Sequence, residues 1–181
     1  MKIHLHHIAV LTQSLPEVER SLPQELDRLD VGHFPKEGTK EQYIDLSASG
    51  RPSLLLIEAV GDGPYREALR KRGAGLHHLG FVADHLTEAA DHFARQRLLL
   101  HPTTLKTLEQ GVIWMCRPGV PFLVEISGVE GLEEPGPPPI TLAIPGLGVD
   151  RIDWAPDLSL RRSDDASIRI STGTVSFQIA P

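Results

Sequence analysis

Apolar and polar residues alternate on a strand period over residues 2–10 (KIHLHHIAV), where Ile3, Leu5, His7 and Ala9 fall on one face and His4, His6 and Ile8 on the other. The pattern then switches to helical spacing at Leu15, Val18 and Leu22, with Ser14 and Glu17 placed as a capping box and Pro16 in the first turn. Pro23 interrupts it, so a short or kinked helix is expected. Strand patterns follow at Val31–Phe34, Glu41–Leu46 and Ser53–Val60, with a turn at residues 35–40 and a hairpin loop at 47–51. Along the last of these strands Leu54, Leu56, Glu58 and Val60 point one way.

The order then repeats. Gly61-Asp62-Gly63 breaks the pattern and Pro64 opens a helix to about Arg72, closed by Gly73. Leu76–Ala83 is a strand, Asp84 is placed as a cap, and Leu86, Ala89, Ala90, Phe93 and Ala94 mark the apolar face of a helix. Strands are expected at about Leu98–Leu105, Val112–Cys116 and Phe122–Ser127. Two similar units of strand, helix and three strands therefore cover about 1–60 and 75–128, joined by a linker helix at 64–73. Residues 129–139 are a Pro-rich linker, semi-rigid by composition. The tail, 140–181, carries strand patterns at Ile140–Ile144, Ile152–Trp154, Ser167–Ser171 and Val175–Ile179 and no helix pattern. It is expected to pack on the core as extra strands or to extend a subunit interface.

Composition narrows the class. At 181 residues, 40% hydrophobic and 23% charged, the chain is expected to be one soluble domain with an appendage. No apolar run is long enough to span a bilayer and no cleavable leader pattern is visible, so a cytoplasmic location and no membrane partner are expected. A net charge of −6 argues against nucleic acid as a partner. The single Cys116 forms neither an internal disulfide nor a thiolate metal site.

The repeat has chemical content. HHIAV (6–10) and HHLGF (77–81) open the two units, and each unit closes on an apolar strand with one acidic residue, LLLIEAV (54–60) and FLVEIS (122–127). His7, Glu58, His78 and Glu125 can face one concave side, and two imidazoles with two carboxylates make a mixed nitrogen and oxygen site for a divalent metal with positions open to substrate. By alternation only one His of each doublet reaches such a site, and periodicity does not choose which. His4, His33, His85, His92 and His101 have no partner at metal spacing. Trp114 and Phe122 either line a cavity or fill core.

HHIAV, LLIEA, GLHHLGF and FLVEI, in this order within a doubled strand–helix–three-strand plan, resemble the vicinal oxygen chelate superfamily, which includes glyoxalase I, methylmalonyl-CoA epimerase and extradiol dioxygenases. The resemblance spans roughly residues 3–128 and implies an α+β fold, two βαβββ modules forming a glyoxalase-like half-open barrel, here with a C-terminal β extension. It implies His7 and His78 as the metal-binding histidines, Glu58 and Glu125 as the acidic ligands, and a divalent cofactor such as Co, Mn, Ni or Zn.

Within the superfamily, LRKRGAGLHHLGFVADHLTEAADHF and EGTKEQYIDL are most similar to methylmalonyl-CoA epimerase, and the catalytic base of that family matches Glu41. The resemblance implies an isomerase or epimerase that polarises a substrate carbonyl and moves an alpha proton, with Glu41 and Glu125 as the catalytic carboxylates. An acyl-CoA thioester is the implied substrate, and a homodimer is the expected assembly. Arg66, Arg70, Lys71 and Arg72 on the linker helix offer charge to its phosphates. The chain departs from the family at Gly119-Val120-Pro121-Phe122, where a glycine pair is usual, and in lacking aromatic residues at 15–29. A glyoxalase I-like lactoylglutathione lyase and a non-catalytic ligand-binding protein are the alternatives. A dioxygenase is disfavoured by a four-ligand set, because that class uses two His and one carboxylate.

Overall fold

The computed structural model describes residues 1–47, 52–132, 139–173 and 175–180; the tip of the first hairpin loop and most of the Pro-rich linker lie outside them. The first unit contains β1 (Ile3–Thr12), α1 (Leu15–Glu19), β2 (Gly32–Phe34), β3 (Thr39–Asp45) and β4 (Ser53–Ala59). The linker helix is α2 (Pro64–Arg72), and Gly73 ends it at φ 77°, a left-handed value that suits glycine. The second unit contains β5 (Gly75–Ala83), α3 (Leu86–Arg95), β6 (Leu99–Leu100), α4 (Thr104–Thr107), β7 (Val112–Cys116) and β8 (Leu123–Gly128). The expected strand over 98–105 thus shrinks to two residues, because Thr104 turns its hydroxyl onto the Trp114 carbonyl (2.8 Å) within a short helix.

These eight strands form one sheet in the order β2-β3-β4-β1-β5-β8-β7-β6. Each unit pairs its first and last strands in parallel, β1 with β4 and β5 with β8, and the units join through an antiparallel β1–β5 pair at the centre. One face of the sheet carries α1 and α3: Leu15, Val18, Ala89 and Phe93 share a core with Ile8, Val10, Leu54, Leu56, Leu79 and Phe81. The opposite, concave face holds a smaller cluster, Ala9, Leu11, Leu55, Ile57 and Ala59, against Tyr65, Ala68 and Leu69 of α2.

The proposed caps are not used. Ser14 and Asp84 make no side-chain cap; the Leu15 N–H donates to the Glu58 carboxylate at 2.9 Å, and Asp84 accepts from the Lys2 N–H at 2.8 Å.

The tail forms a second sheet in the order β10-β11-β9-β12-β13, from β9 (Ile140–Pro145), β10 (Arg151–Ala155), β11 (Leu158–Ser163), β12 (Ile168–Ser171) and β13 (Ser176–Ile179). Strand β11 is missed by the sequence pattern, since its exposed end reads Arg161-Arg162. The tail joins the main core: Trp154 lies 6.0 Å from Phe93 and 5.9 Å from Phe122, ring centre to ring centre, and Asp157 accepts from the Leu5 N–H at 2.8 Å. Phe122 is therefore core. Among the described residues no helix is long and apolar enough to cross a membrane.

Candidate metal centre

Regular alternation would put His7 on the face of Leu5. A bulge prevents this. Along the β1–β5 ladder Leu5 pairs with Phe81 but His7 pairs with Gly80, so His6 is skipped; likewise Ala9 pairs with His78 and Val10 with Leu76, so His77 is skipped. The shift leaves Ile3 and Leu5 in the helix-side core and turns His7, Ala9 and Leu11 to the concave face. The expected sharing of one face by Ile3, Leu5, His7 and Ala9 is thus corrected.

Two rows of residues cross the concave face through the register. One runs Ser53, His7, Gly80, Glu125 and the other Leu55, Ala9, His78, Leu123. An approximate twofold between β1 and β5 exchanges them, matching His7 with His78 and Glu125 with Leu55. His7 and His78 are buried, and their Nε2 atoms are 2.9 Å apart. Glu125 Oε2 lies 3.5 Å from His78 Nε2. The three donors lie within 4.8 Å of one another and could hold a metal ion. Ligand atoms about 2.1 Å from an ion at right angles stand roughly 3 Å apart, the spacing the two imidazoles already have. The site therefore fits the implied cofactor as a set of two imidazoles and one carboxylate.

Gly80 makes this approach possible. A Cβ at that position would overlap the His7 ring, so the ring keeps this position only over the glycine of HHLGF. The sequence signal for it is the glycine two residues after His78 in that motif.

Glu58, expected as the fourth ligand, is not in this group. It lies with Leu54 and Leu56 on the helix side of β4, and its carboxylate serves the α1 N-terminus. The position equivalent to Glu125 in the first unit is Leu55, whose side chain cannot bind a metal. Without Glu58 the donor set is two histidines and one carboxylate, so a count of four ligands does not disfavour dioxygenase chemistry here.

Electrostatics match this enclosure. Burial, and then the neighbouring His6, bring His7 down to about 3; burial lowers His77 to about 4; burial holds His78 well below the ordinary imidazole range. Neutral rings are the form that binds metal. Burial pushes Glu125 up to about 7, with Glu37 and Glu41 adding repulsion. Glu41, on β3, is half-buried and raised by burial; its Oε1 accepts from Thr39 Oγ1 at 2.8 Å. Tyr43 lies beside His7 (ring centres 6.3 Å apart) and Trp114 beside His78 (5.0 Å), so the two aromatics flank the pair. Trp114 is thus a wall of the site.

A cavity of about 410 Å³ reaches His77, whose ring contacts His78, and is lined also by Leu11 and Arg72 and by Ile144 and Ile168 of the tail; none of the three donors lines it. Arg72 is the one linker-helix cation that lines it; Arg70 and Lys71 pair with Glu67 at 2.9 and 3.0 Å.

No family model and no curated protein sequence matches this chain. Solved structures do. A hypothetical protein, BH1468 from Bacillus halodurans C-125, is 18% identical with a TM-score of 0.52, covering 74% of this chain and 99% of that one. A methylmalonyl-CoA epimerase in complex with methylmalonyl-CoA and NH4+ is 19% identical with a TM-score of 0.50, covering 75% of this chain and all of that one. A selenomethionine form of a methylmalonyl-CoA epimerase is 17% identical with a TM-score of 0.50, covering 68% and 93%. The chain shares its fold with these structures, and about a quarter of it extends beyond the first two.

Proposed function

We propose that the protein is a divalent-metal enzyme that removes and returns a proton beside a substrate carbonyl, in the manner of methylmalonyl-CoA epimerase. The observation that carries this reading is the convergence of His7, His78 and Glu125 on one point of the concave face, with Glu41 on the same face. A divalent ion held by those three residues supplies a Lewis acid to a carbonyl oxygen and so acidifies the adjacent C–H.

The chain's residues supply the rest. Thr39 engages Glu41 Oε1 and leaves Oε2 to take a proton. Burial makes that carboxylate a stronger base than an exposed one. Epimerisation needs a group on each side of the reacting carbon. Glu41 on β3 and Glu125 on β8 flank the central strands from opposite sides, so Glu125 is the second carboxylate, exchanging between ligand and proton carrier. Tyr43 and Trp114 exclude water around the imidazole pair. Arg72 offers charge to an anionic part of the substrate from the cavity at His77.

The test is elemental analysis of the purified protein, followed by Glu41→Gln assayed on acyl-CoA thioesters and glutathione hemithioacetals. The expected result is near-stoichiometric metal, with turnover in the variant down by about 10²–10⁴-fold and substrate affinity retained. Unchanged turnover would remove Glu41 from the reaction.

Leu55 favours one other reading. With no fourth ligand, two imidazoles and one carboxylate form the set used by non-haem Fe(II) oxygenases. Iron as the bound metal, with oxygen consumed on a catechol substrate, would replace the epimerase reading.

A further inference from the structure

Each histidine doublet contains one ring that the metal reading leaves unassigned. His6 and His77 were expected to point away from the site, on the opposite strand faces. Both are the residues skipped by the β1–β5 ladder, and the bulges turn them back toward the following histidine. His6 Nδ1 stands 2.9 Å from His7 Nδ1, and His77 Nδ1 stands 2.9 Å from His78 Nδ1. With the 2.9 Å contact between the Nε2 atoms of His7 and His78, four imidazoles form one continuous chain. Successive rings meet edge to face, with centres 5.0–5.2 Å apart.

We propose that His6 and His77 are positioning residues that fix the tautomer and aim of the two metal-binding rings. The inference rests on the metal reading above. A neutral imidazole that offers Nε2 to an ion must carry its proton on Nδ1, and that N–H needs an acceptor. The atom in reach is the Nδ1 of the preceding histidine, which accepts only when its own proton sits on Nε2. One assignment therefore satisfies both Nδ1–Nδ1 contacts and leaves both Nε2 lone pairs free for the ion: Nδ1–H on His7 and His78, Nε2–H on His6 and His77. Metal-bound histidines more commonly donate to a carboxylate, a backbone carbonyl or water. Here the acceptor is a neutral ring from the adjacent residue, and it adds no negative charge. His77 is itself held in place, buried with its ring 4.9 Å from Tyr65.

Cobalt(II) titration by visible absorption tests this on the wild type, His6→Phe, His77→Phe, His6→Asn and His77→Asn. Asparagine presents an oxygen acceptor where histidine has Nδ1; phenylalanine fills the space and presents none. Each Phe variant is expected to bind cobalt about 10–100-fold more weakly, and each Asn variant to recover most of that loss. Phe variants that bind as tightly as the wild type would overturn the inference while leaving the metal site standing. A wild type that binds no cobalt would instead remove the metal reading, and this inference with it. Nitrogen–proton correlation spectra of the zinc-loaded wild type decide the matter even if a variant fails to fold. Nε2–H signals from His6 and His77 are expected, and Nδ1–H on either would overturn the assignment.

Discussion

The two units share a strand order, a doublet and an approximate twofold, yet they differ where the symmetry predicts a second carboxylate. The second unit ends its row on Glu125, beside the histidine pair; the first ends its row on Leu55, inside an apolar cluster under α2. The first unit has kept an acidic residue nearby, but Glu58 is an odd number of positions from Leu55 and so lies on the other face of β4. There it accepts the Leu15 N–H and stabilises the short α1. One strand parity thus separates a carboxylate of the candidate metal centre from a helix cap, and duplication of a unit does not imply duplication of its chemistry.

Three experiments probe this asymmetry. The largest effect is expected in the stability of chelator-stripped protein between pH 5 and 6. His7, His77 and His78 have depressed folded-state values, so their contribution is present above the unfolded value of 6.5 and is lost as pH falls, toward about 3 for His7 and about 4 for His77. Glu125 works the other way: raised from 4.5 to about 7, it favours the folded state at low pH and loses that contribution as pH rises. Three protons taken up by the unfolded chain against one held by the folded chain leave about two. Stability should then rise by about 2.7 kcal/mol per pH unit in this window, read by urea unfolding. Glu125→Gln should steepen the slope by about one proton, or roughly 1.4 kcal/mol per unit. A flat profile would mean that the doublets are not buried neutral.

Completing the twofold is the second test. Leu55→Glu should cost the stripped protein about 2 kcal/mol, because a carboxyl replaces an apolar side chain among Ala9, Leu11 and Ile57. It should also tighten cobalt binding by about tenfold through a fourth ligand, about 1.4 kcal/mol. Unchanged affinity would show that Leu55 does not face the ion. The smallest effect is expected from Glu58→Gln, which should lower stability by about 0.5–1 kcal/mol through the weakened α1 contact and leave metal affinity as it was. A large loss of metal would return Glu58 to the site.

Much of the architecture was legible because it is local. The doubled order of strands and helix, the linker helix closed by Gly73, and the second helix with its buried Ala89 and Phe93 all follow from periodicity and punctuation. Of the four expected ligands, His7, His78 and Glu125 come together. The misassigned faces of the two doublets have one origin: alternation does not hold where the ladder slips. The bulges at His6 and His77 invert the faces of the doublets, and no local pattern marks them. β11 was missed for a related reason, since the exposed Arg161 and Arg162 hide a strand whose inward residues, Leu158 and Leu160, are buried by the rest of the tail.

By itself, then, the sequence determined the repeated unit and the chemistry available to it, because hydrophobic period and residue type are carried by each short stretch alone. Tertiary structure decided which of those groups meet. Whether a histidine faces the core or the concave side depends on strand register, and register is set by pairing between segments far apart in the chain. The same pairing put a glycine under His7, a leucine opposite Glu125 in the twofold, and a second imidazole within reach of both His7 and His78.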